Sequence, residues 1–443
     1  MPALMFEPLY TADEMRAAEQ GHDVEALMER AGRAVADAVL RRYPEARRIA
    51  AVCGEGANGG DGRIALRVLA ESGRETSVEL DGGCDVVIDA LFGTGFHGQP
   101  RPAAAALIER INGAGIPVVA VDIPSGVDAS TGEVPGAAVR AELTVTMHGC
   151  KVGLVVGPGR FHTGEVEVAD IGLARTETGH RLVTEEILGL VPRRSEGDTK
   201  YTAGSVLVVG GSPGMTGAVC LAAEAAFRAD AGYVAVAVPE ASLPVIETLL
   251  VEAVKAPRER VDELAERASA FAIGPGLGRG VEERALARRL LGELALTAVV
   301  DADALFELEV SDWPAPRVLT PHAGELGRLL DEESSWVDEH RLEAVQRAVD
   351  RYGCVVLLKG PGTVVAAPGE GVLVCDAGTP ALATAGTGDV LTGVIASFLA
   401  KGMDARLAAA AGAFAHGRAA ELAPHQVGMV ASDVIESLPL ALG

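Results

Sequence analysis

The sequence has few basic residues, no paired cysteines and no long apolar run. Its 38 lysines and arginines are outnumbered by 62 acidic residues, which gives a formal net charge of -24. A field of this sign repels nucleic acid and anionic membrane surfaces, so we expect neither as a partner. No stretch of about 18 uncharged apolar residues is present, and the first residues lack the basic and apolar parts of a secretory signal. We therefore expect a soluble protein.

The six cysteines are scattered singly through mostly apolar surroundings, with no CxxC pair. This spacing indicates neither a disulfide framework nor a cysteine-based metal site, and a reduced, cytoplasmic compartment fits it best. Because the overall charge is negative, any anionic ligand must be held locally. Backbone amides at helix starts can do this, since their dipoles act at contact distance.

The length of 443 residues exceeds what one hydrophobic core usually organises and favours two or more domains. Near the start, a capping box at Thr11 and Glu14 opens a helical pattern that continues to Tyr43, so we predict an amphipathic helix there. Short β-rich runs follow at residues 49–52, 86–90, 117–122 and 143–147. Segments long enough for helices separate them, and this alternation predicts an α/β fold with a parallel sheet.

The regular pattern lapses between residues 174 and 204, where the chain is polar and charge-rich. We place the domain boundary there and predict domains at 1–185 and 186–443. Beyond it the strand-like SVLVVGG and a helix over 216–231 restart the alternation. Further strands are predicted near Val234, Phe271, Val299, Val318, Val355 and Leu373, and a last pair of helices over 389–400 and 405–422. No sequence repeat is evident, so the halves are predicted to be different α/β domains.

The segment GEGANGGDG at residues 54–62 lies between a strand and a helical run, where we predict a loop, and contains the pattern GxGxxG. Alone, this pattern is a weak signal, and an ordinary NAD-dependent dehydrogenase is one interpretation of it. Asn58 and Asp61 argue against that interpretation. A carboxylate beside phosphates costs several kcal/mol unless a cation or a proton offsets it.

Three further polar elements follow predicted strands: Asp89 in DALFGTG, Asp122 and Ser125 in DIPSGVD, and Lys151 in HGCKVGL. The carboxyl ends of parallel strands face one crevice, so these side chains can converge with the glycine-rich segment. Each alone is more simply a capping aspartate, a turn serine or a solvated lysine. Together they make a site at one sheet edge the better interpretation.

In this order, NGGDG, DALFGTG, DIPSG and the lysine before GL resemble the signature of the NAD(P)H-hydrate epimerase domain, over about residues 10 to 173. The resemblance implies a Rossmann-like fold and a potassium ion held by Asn58, Asp89 and Ser125. It also implies that the following residues contact the hydrated dinucleotide: Ala57, Asn58, Gly59, Gly60, Asp61, Gly93, Thr94, Gly95, Phe96, His97, Gly98, Gln99 and Asp122. Two positions depart from the family pattern: Ala57, where a second asparagine is usual, and Cys150, where a proline is usual.

Epimerising a hydrate at a ring carbon that bears hydroxyl and nitrogen requires opening the ring, or losing and regaining hydroxide. Both routes need proton transfers. We expect Asp122 to be the general acid and base, with Lys151 as its charge partner.

In the second half, AGTGDVLTG at residues 385–393 has the form of a small-residue loop that leads into a helix, with Asp389 in the first turn. Backbone amides at a helix start suit a transferring phosphoryl group, and the carboxylate can accept a hydroxyl proton. This combination is typical of a hydroxyl kinase. A simple capped helix start explains the pattern about equally well in isolation.

Five other loops place glycine or polar groups at predicted strand ends: GGSPGMTGA, GPGLG, DADAL, TPHAGE and LKGPGT. Five such loops in one domain indicate a crevice for a large polar ligand. His322 in TPHAGE has a simpler interpretation, because a lone histidine more often makes structural hydrogen bonds.

In order and spacing these motifs resemble the ADP- or ATP-dependent NAD(P)H-hydrate dehydratase domain, a ribokinase-like fold, over about residues 185 to 440. The resemblance implies that the hydrate contacts Ala218, Gly276, His322 and Asp389. It assigns the adenine nucleotide to Lys359, Gly360, Pro361, Gly362, Thr363 and Gly388, and magnesium to Glu325. Thr379 departs from the family, which commonly has asparagine before this proline. The resemblance also implies a homo-oligomer, and it alone carries the preference for ADP.

The function that follows is nicotinamide nucleotide repair. The first domain would interconvert the R and S forms of the hydrate. Asp389 of the second would deprotonate the hydroxyl of the S form, which ADP then phosphorylates, so that phosphate leaves and AMP remains. Two rival hypotheses stay open: a ribokinase-like vitamin kinase, which leaves the first domain unexplained, and a first domain that only binds dinucleotide or protein.

Overall fold

The computed structural model describes residues 5–443 and divides them into two compact units. The amino-terminal unit comprises Pro8–Arg181 with Asp338–Arg341, and the carboxy-terminal unit includes Leu182–Val337 and Leu342–Gly443. Among residues 5–443 we find no helix that is both long and apolar enough to cross a bilayer.

The amino-terminal unit contains a six-stranded sheet in which every paired strand is parallel. After the short strand β1 (Phe6–Leu9), its elements are α1 (Ala12–Glu19), α2 (Val24–Arg42), β2 (Arg48–Cys53), α3 (Ala57–Glu71), β3 (Glu75–Ser77), β4 (Val86–Ala90), α4 (Pro102–Asn112), β5 (Val118–Val121), β6 (Leu143–Met147) and β7 (Glu165–Ala169). The strand order is β3-β2-β4-β5-β6-β7. The order therefore reverses between β2 and β4, and ligands of such sheets bind at the carboxyl ends beside this reversal.

The predicted strands of this unit agree closely with the structure, but the single predicted helix before them is wrong. The capping box forms as expected: Thr11 N donates to Glu14 Oε2 at 2.8 Å. The helix then ends at Glu19, and Gly21 adopts a left-handed φ of 81°. Asp23 caps a second helix by accepting hydrogen bonds from the amides of Glu25 and Ala26. Two helices therefore replace the predicted one.

The carboxy-terminal unit is built on strands of both directions. After β8 (His180–Val183) its elements are β9 (Ser205–Val209), α5 (Thr216–Arg228), β10 (Tyr233–Val238), α6 (Leu243–Leu249), β11 (Val254–Pro257), α7 (Val261–Ala265), β12 (Ala270–Ile273), α8 (Val281–Glu293), β13 (Thr297–Val300), β14 (Arg317–Leu319), α9 (Ala323–Leu330), α10 (Ser334–Glu339), α11 (Arg341–Tyr352), β15 (Val355–Leu358), β16 (Thr363–Ala366), β17 (Val372–Cys375), α12 (Thr387–Ala400), α13 (Ala405–Leu422) and α14 (Ala431–Leu442). Strands β9 to β15 pair in parallel, whereas β16 and β17 are antiparallel additions. The sheet order is β17-β16-β15-β14-β13-β12-β9-β10-β11, and β8 and β1 extend its β17 edge.

The helix that carries the predicted phosphoryl site lies in the centre of this unit. Every residue of α12 from Val390 to Ala400 is buried, as expected for a helix that is apolar on all sides. A Cβ atom on Gly393 would lie 2.1 Å from the carbonyl oxygen of Ala222 in α5, so the two helices pack backbone to backbone. The start of α12 is therefore held rigidly. A third helix, α14, follows the two that we predicted to be last.

Candidate functional sites

The first candidate site lies where α3 begins. The sequence suggested that residues 57–61 form a loop, but they are the first turn of α3, and Gly56 is its N-cap without a side-chain hydrogen bond. The first amides of this helix are thus free of a protein cap and can meet an anion. Gly59 is needed for close approach, since a Cβ atom there would lie 2.0 Å from the carbonyl oxygen of Gly54.

The three residues predicted to hold potassium lie together behind this turn. Asp89 is fully buried, and its carboxylate accepts hydrogen bonds from Ser125 N at 2.8 Å and Ser125 Oγ at 2.7 Å. Ser125 Oγ and Asn58 Nδ2 both approach the carbonyl oxygen of Phe92, at 3.3 and 2.7 Å. Burial raises the pKa of Asp89 to about 6, although the hydrogen bonds from Ser125 oppose the rise.

These groups suit a hard monovalent cation. The carboxylate of Asp89, the hydroxyl of Ser125, the carbonyl of Phe92 and the amide oxygen of Asn58 are all neutral or anionic oxygen ligands. Asn58 Nδ2 donates to the Phe92 carbonyl, and rotation of this side-chain amide would present its oxygen to a cation instead. The residues present therefore fit potassium.

Asp122 and Lys151 form a buried ion pair beyond β5 and β6. Asp122 adopts a positive φ of 67°, which is uncommon for a residue with a side chain and turns its carboxylate back toward the sheet. Lys151 is wholly buried, and its Nζ contacts Asp122 Oδ1. The same carboxylate oxygen accepts hydrogen bonds from Thr146 Oγ1 at 3.2 Å and Met147 N at 3.0 Å.

A cavity of about 930 Å³ opens in front of these groups within the amino-terminal unit. Nine of the residues predicted to contact the hydrate line it: Ala57, Asn58, Asp61, Gly93, Thr94, Gly95, Phe96, His97 and Asp122. Gly59, Gly60, Gly98 and Gln99 are not part of its wall, and neither are Asp89 and Ser125, which lie behind it. Phe92 and Phe96 stack at 4.7 Å between ring centroids and form an apolar part of the wall. The volume suits a dinucleotide-sized ligand.

Two carboxylates of this cavity have raised pKa values, and sequence reasoning missed one of them. Burial, together with the charges of Asp122 and Glu19, raises the pKa of Asp61 to about 8. Burial and the charge of Asp122 also raise the pKa of Glu19, at the end of α1. No motif contains Glu19, because only the folded chain brings α1 to the sheet edge.

The second candidate site lies at the start of α12. Gly386 is the N-cap with a φ of 90°, and Asp389 occupies the first turn. Burial raises the pKa of Asp389 to about 7, with a further contribution from the charge of Asp301, while Lys359 opposes the rise. A carboxyl group with this pKa is poised to accept a proton at neutral pH.

Asp301, the first residue of DADAL, organises this site, although the sequence did not single it out. It is 1% exposed; its Oδ1 accepts a hydrogen bond from Lys359 Nζ at 2.7 Å and its Oδ2 one from Thr392 Oγ1 at 2.8 Å. Lys359 Nζ also lies 3.8 Å from Glu325 Oε2. Burial lowers the pKa of Lys359, but the charges of Asp301 and Glu325 outweigh burial and leave the pKa above its ordinary value.

The loop predicted to hold the nucleotide joins β15 to β16. Gly360 and Gly362 adopt φ values of 131° and 61°, which only glycine accepts readily, and Thr363 Oγ1 donates to the carbonyl of Gly360 at 3.0 Å. The side chain of Lys359 leaves this loop and reaches α12, where a Cβ atom on Gly388 would lie 3.4 Å from its Nζ. The structure therefore brings Lys359 to Gly388 and Asp389.

His322 has a structural role, as a lone histidine often does. Its Nδ1 accepts hydrogen bonds from Gly324 N at 3.0 Å and Glu325 N at 3.4 Å, and its own amide donates to Glu325 Oε2 at 2.9 Å. This capping box starts α9 and leaves more than half of the imidazole exposed. Two other residues predicted to contact the hydrate, Gly276 and Ala218, lie side by side. A Cβ atom added to Gly276 would be 3.3 Å from the Cβ atom of Ala218.

Both folds and both sites define the class of this protein. It is a two-domain α/β enzyme, with a Rossmann-like domain that carries a dinucleotide-sized cavity and a ribokinase-like domain that carries Asp389 at a helix start. A family model described as NAD(P)H-hydrate dehydratase matches residues 206–440. A second model, described as YjeF-related protein N-terminus, matches residues 24–81 and 74–153.

Full-length relatives share both halves. The chain is 38% identical to a bifunctional NAD(P)H-hydrate repair enzyme Nnr of Moorella thermoacetica, over 94% of this chain and 92% of the relative. It is 34% identical to the enzyme of that name from Escherichia coli, over 99% and 94%. The carboxy-terminal half resembles the crystal structure of an ADP/ATP-dependent NAD(P)H-hydrate dehydratase from Bacillus subtilis, with a TM-score of 0.54 and 30% identity over 58% of this chain and 96% of that one. The chain belongs to the bifunctional NAD(P)H-hydrate repair enzyme family.

Proposed function

We propose that this protein repairs hydrated nicotinamide cofactors with one activity in each domain. The amino-terminal domain epimerises the R and S forms of NAD(P)H-hydrate. The carboxy-terminal domain dehydrates the S form to NAD(P)H and converts ADP to AMP and phosphate. The observation that carries the proposal is the pairing of two separate proton-handling sites, Asp122 with Lys151 and Asp389 with Lys359, in a chain whose relatives cover both domains.

In the epimerase domain the hydrate occupies the 930 Å³ cavity, where the free amides at the start of α3 meet its pyrophosphate. Asp122 faces the same cavity and exchanges protons with the hydrated ring. Lys151 keeps Asp122 oriented, because its ammonium group contacts Oδ1 of this carboxylate. The stacked rings of Phe92 and Phe96 offer an apolar surface to an aromatic or nicotinamide ring.

In the dehydratase domain Asp389 takes the proton of the substrate hydroxyl, and the hydroxyl oxygen attacks the terminal phosphorus of ADP. AMP leaves, and the carbon–oxygen bond of the new phosphate ester then breaks. Phosphate departs, the ring nitrogen supplies the electron pair, and loss of a ring proton restores the dihydronicotinamide. Lys359 and the first amides of α12 lie where negative charge develops on the phosphoryl oxygens. The loop from Lys359 to Thr363 binds the nucleotide.

Two cations complete the sites. Potassium fits the oxygen ligands of Asn58, Asp89 and Ser125, where it offsets the charge of the buried Asp89. Magnesium usually takes one or two carboxylates together with substrate phosphates, and Glu325, beside Lys359, can supply one. Magnesium would screen the charge of the phosphates. A homo-oligomer in the cytoplasm, without nucleic acid or membrane as partner, completes the proposal.

The test is recovery of NADH absorbance when the purified full chain meets a mixture of R and S NADH-hydrate, with ADP, with ATP and without nucleotide. Nucleotide-dependent recovery of both epimers, faster than spontaneous epimerisation allows, supports both activities. Asp389→Ala should abolish recovery but leave epimerisation intact. Asp122→Asn should still recover the S form, but it should not recover the R form faster than spontaneous epimerisation allows. Recovery of the S form alone would reduce the first domain to a binding module, and no recovery with any nucleotide would refute the proposal.

A further inference from the structure

Asp61 is a carboxyl group without a hydrogen-bond partner on one oxygen, in the wall of the epimerase cavity. The residue is 8% exposed, and its Oδ1 is buried with no partner among the described residues. It lies in the first turns of α3 and lines the same cavity as Asp122. A buried polar atom without a partner is costly, and in a cavity wall it indicates a group kept for a ligand.

The nearby cation cannot serve Asp61. An ammonium group has three donors, and Lys151 Nζ directs them at Asp122 Oδ1, Thr146 Oγ1 at 3.0 Å and the carbonyl of Met147 at 2.7 Å. Lys151 is therefore saturated by its own surroundings. The cation contacts Asp122 directly and makes no recorded contact with Asp61.

The charges around Asp61 are carboxylates. The charges that raise its pKa are those of Asp122, in the turn after β5, and Glu19, at the end of α1, while Lys151, after β6, contacts Asp122. Burial and these two negative charges hold the pKa of Asp61 at about 8. At neutral pH the side chain is therefore mostly a neutral acid, opposite a carboxylate that is ion-paired. Two carboxyl groups whose surroundings separate them in this way divide the roles of acid and base between them.

We propose that Asp61 is the general acid of the epimerase site and that Asp122 is its general base. This inference rests on the proposed epimerase function and adds to it a residue that acts on the reacting hydroxyl. It replaces the expectation that Asp122 handles both proton transfers.

Asp61 gives its proton to the hydroxyl of the hydrate, the carbon–oxygen bond breaks, and water leaves while the ring nitrogen donates its lone pair to form a C=N⁺ bond. A water molecule then adds to that carbon from the opposite face, its proton passes to Asp122, and the π electrons return to nitrogen. The proton moves from Asp122 to Asp61 through water in the open cavity. Nothing is oxidised or reduced, and the reverse epimer uses the same path backwards.

The experiment compares the full chain with Asp61→Asn, which keeps the shape and polarity of the side chain but has no acidic proton. Asp37→Asn, an exposed change on α2, is the matched control for the loss of one charge. Epimerisation is followed on the R form, with a separate dehydratase added in excess so that epimerisation limits the recovery of NADH. The kcat and KM are measured from pH 6 to 9 after subtraction of the spontaneous rate. Urea unfolding of the same samples reports whether the epimerase domain of each variant folds, and dehydration of the S form reports the same for the dehydratase domain. Carbon-13 NMR of aspartate carboxyls in wild type and Asp61→Asn gives the pKa of Asp61 without reference to activity.

We expect Asp61→Asn to lower the epimerase kcat by about 100-fold or more, with a much smaller change in KM. The wild-type rate should fall as pH rises through about 8, and the variant should lack this limb. A kcat within about threefold of wild type, or an alkaline limb that persists in the variant, would overturn the inference. If the wild-type chain dehydrates the S form but never accelerates epimerisation, the proposed function of the first domain fails instead.

Discussion

Asp389 should make the protein less stable than it would be with a neutral residue in its place. Burial and the neighbouring Asp301 raise its pKa from 3.8 to about 7. Each pH unit of pKa is worth about 1.4 kcal/mol, so keeping this carboxyl ionised in the folded chain costs up to about 4 kcal/mol. That figure is an upper bound, because the side chain is partly open to solvent.

The direction in which stability changes with pH depends on whether the folded or the unfolded chain binds the proton of Asp389 more tightly. Below pH 3.8 the carboxyl is protonated in both the folded and the unfolded chain, and it costs nothing. Between pH 3.8 and about 7 the unfolded chain ionises while the folded chain holds its proton, so stability falls as pH rises. Above pH 7 the full cost is present. Asp389→Asn removes it, so the variant should gain about 1.6 kcal/mol at pH 5 and up to about 4 kcal/mol at pH 8, relative to wild type.

Calorimetry of the full chain at pH 5 and pH 8 measures this difference. The transition of the dehydratase domain is identified as the one that ADP shifts upward. Asp389→Asn should melt several degrees higher than wild type at pH 8 and show a smaller gain at pH 5, since about 1 kcal/mol corresponds to roughly 2–4 °C in a domain of this size. Asp312→Asn, an exposed change in the same unit, should show no such pH dependence. A gain of equal size at both pH values, or a loss at pH 8, would refute the reasoning.

Two further substitutions test how the sites are held. Asp301→Asn should lower the dehydratase kcat by about 10- to 100-fold with a smaller change in the KM for nucleotide, because a charged hydrogen bond to Lys359 worth roughly 1.5–3 kcal/mol is lost. Steady-state kinetics at varied ADP separate the change in kcat from the change in KM. An unchanged kcat would contradict the role of Asp301 in positioning Lys359. Gly59→Ala should destabilise the epimerase domain by about 1–3 kcal/mol, since its Cβ would lie 2.0 Å from the Gly54 carbonyl. Urea unfolding measures that loss, and full epimerase activity with wild-type stability would show that α3 can move.

The strands could be predicted closely because each is a short apolar run with a polar or glycine end. The predicted run at residues 86–90 coincides with β4, and the run at 143–147 coincides with β6. The helices were harder. The break at Gly21 lies in the short polar run of residues 19–23, and the glycine and the capping Asp23 are the sequence signals that indicate it. Strand β16 was missed because it follows a glycine-rich loop and returns antiparallel, which a βα alternation does not anticipate.

The candidate sites divide in the same way. Residues at strand ends and helix starts, such as Asp122 and Asp389, could be predicted because the topology of a parallel sheet places them at one edge. Residues that act through tertiary contacts could not. Asp301 was one of several polar residues after a strand, and nothing local distinguishes it from Asp303 two residues later. Only the positions of Lys359 and Thr392, far along the chain, give its two oxygens their partners.

The surroundings of the buried carboxyl groups assign their roles more directly than the motifs do. Asp122 contacts Lys151, which is wholly buried, and Asp301 contacts Lys359, whose side chain is 19% exposed. The buried Asp61 and the partly exposed Asp389 lie beside these pairs and carry pKa values of about 8 and about 7, so both can exchange a proton near neutral pH. The charge of Asp122 adds to the raised pKa of Asp61, and the charge of Asp301 adds to that of Asp389. Removing the charge of Asp122 or Asp301 would therefore lower the pKa of the neighbouring carboxyl group. The ion pair and the titrating acid are thus one electrostatic unit in both halves, although the folds that build them are unrelated.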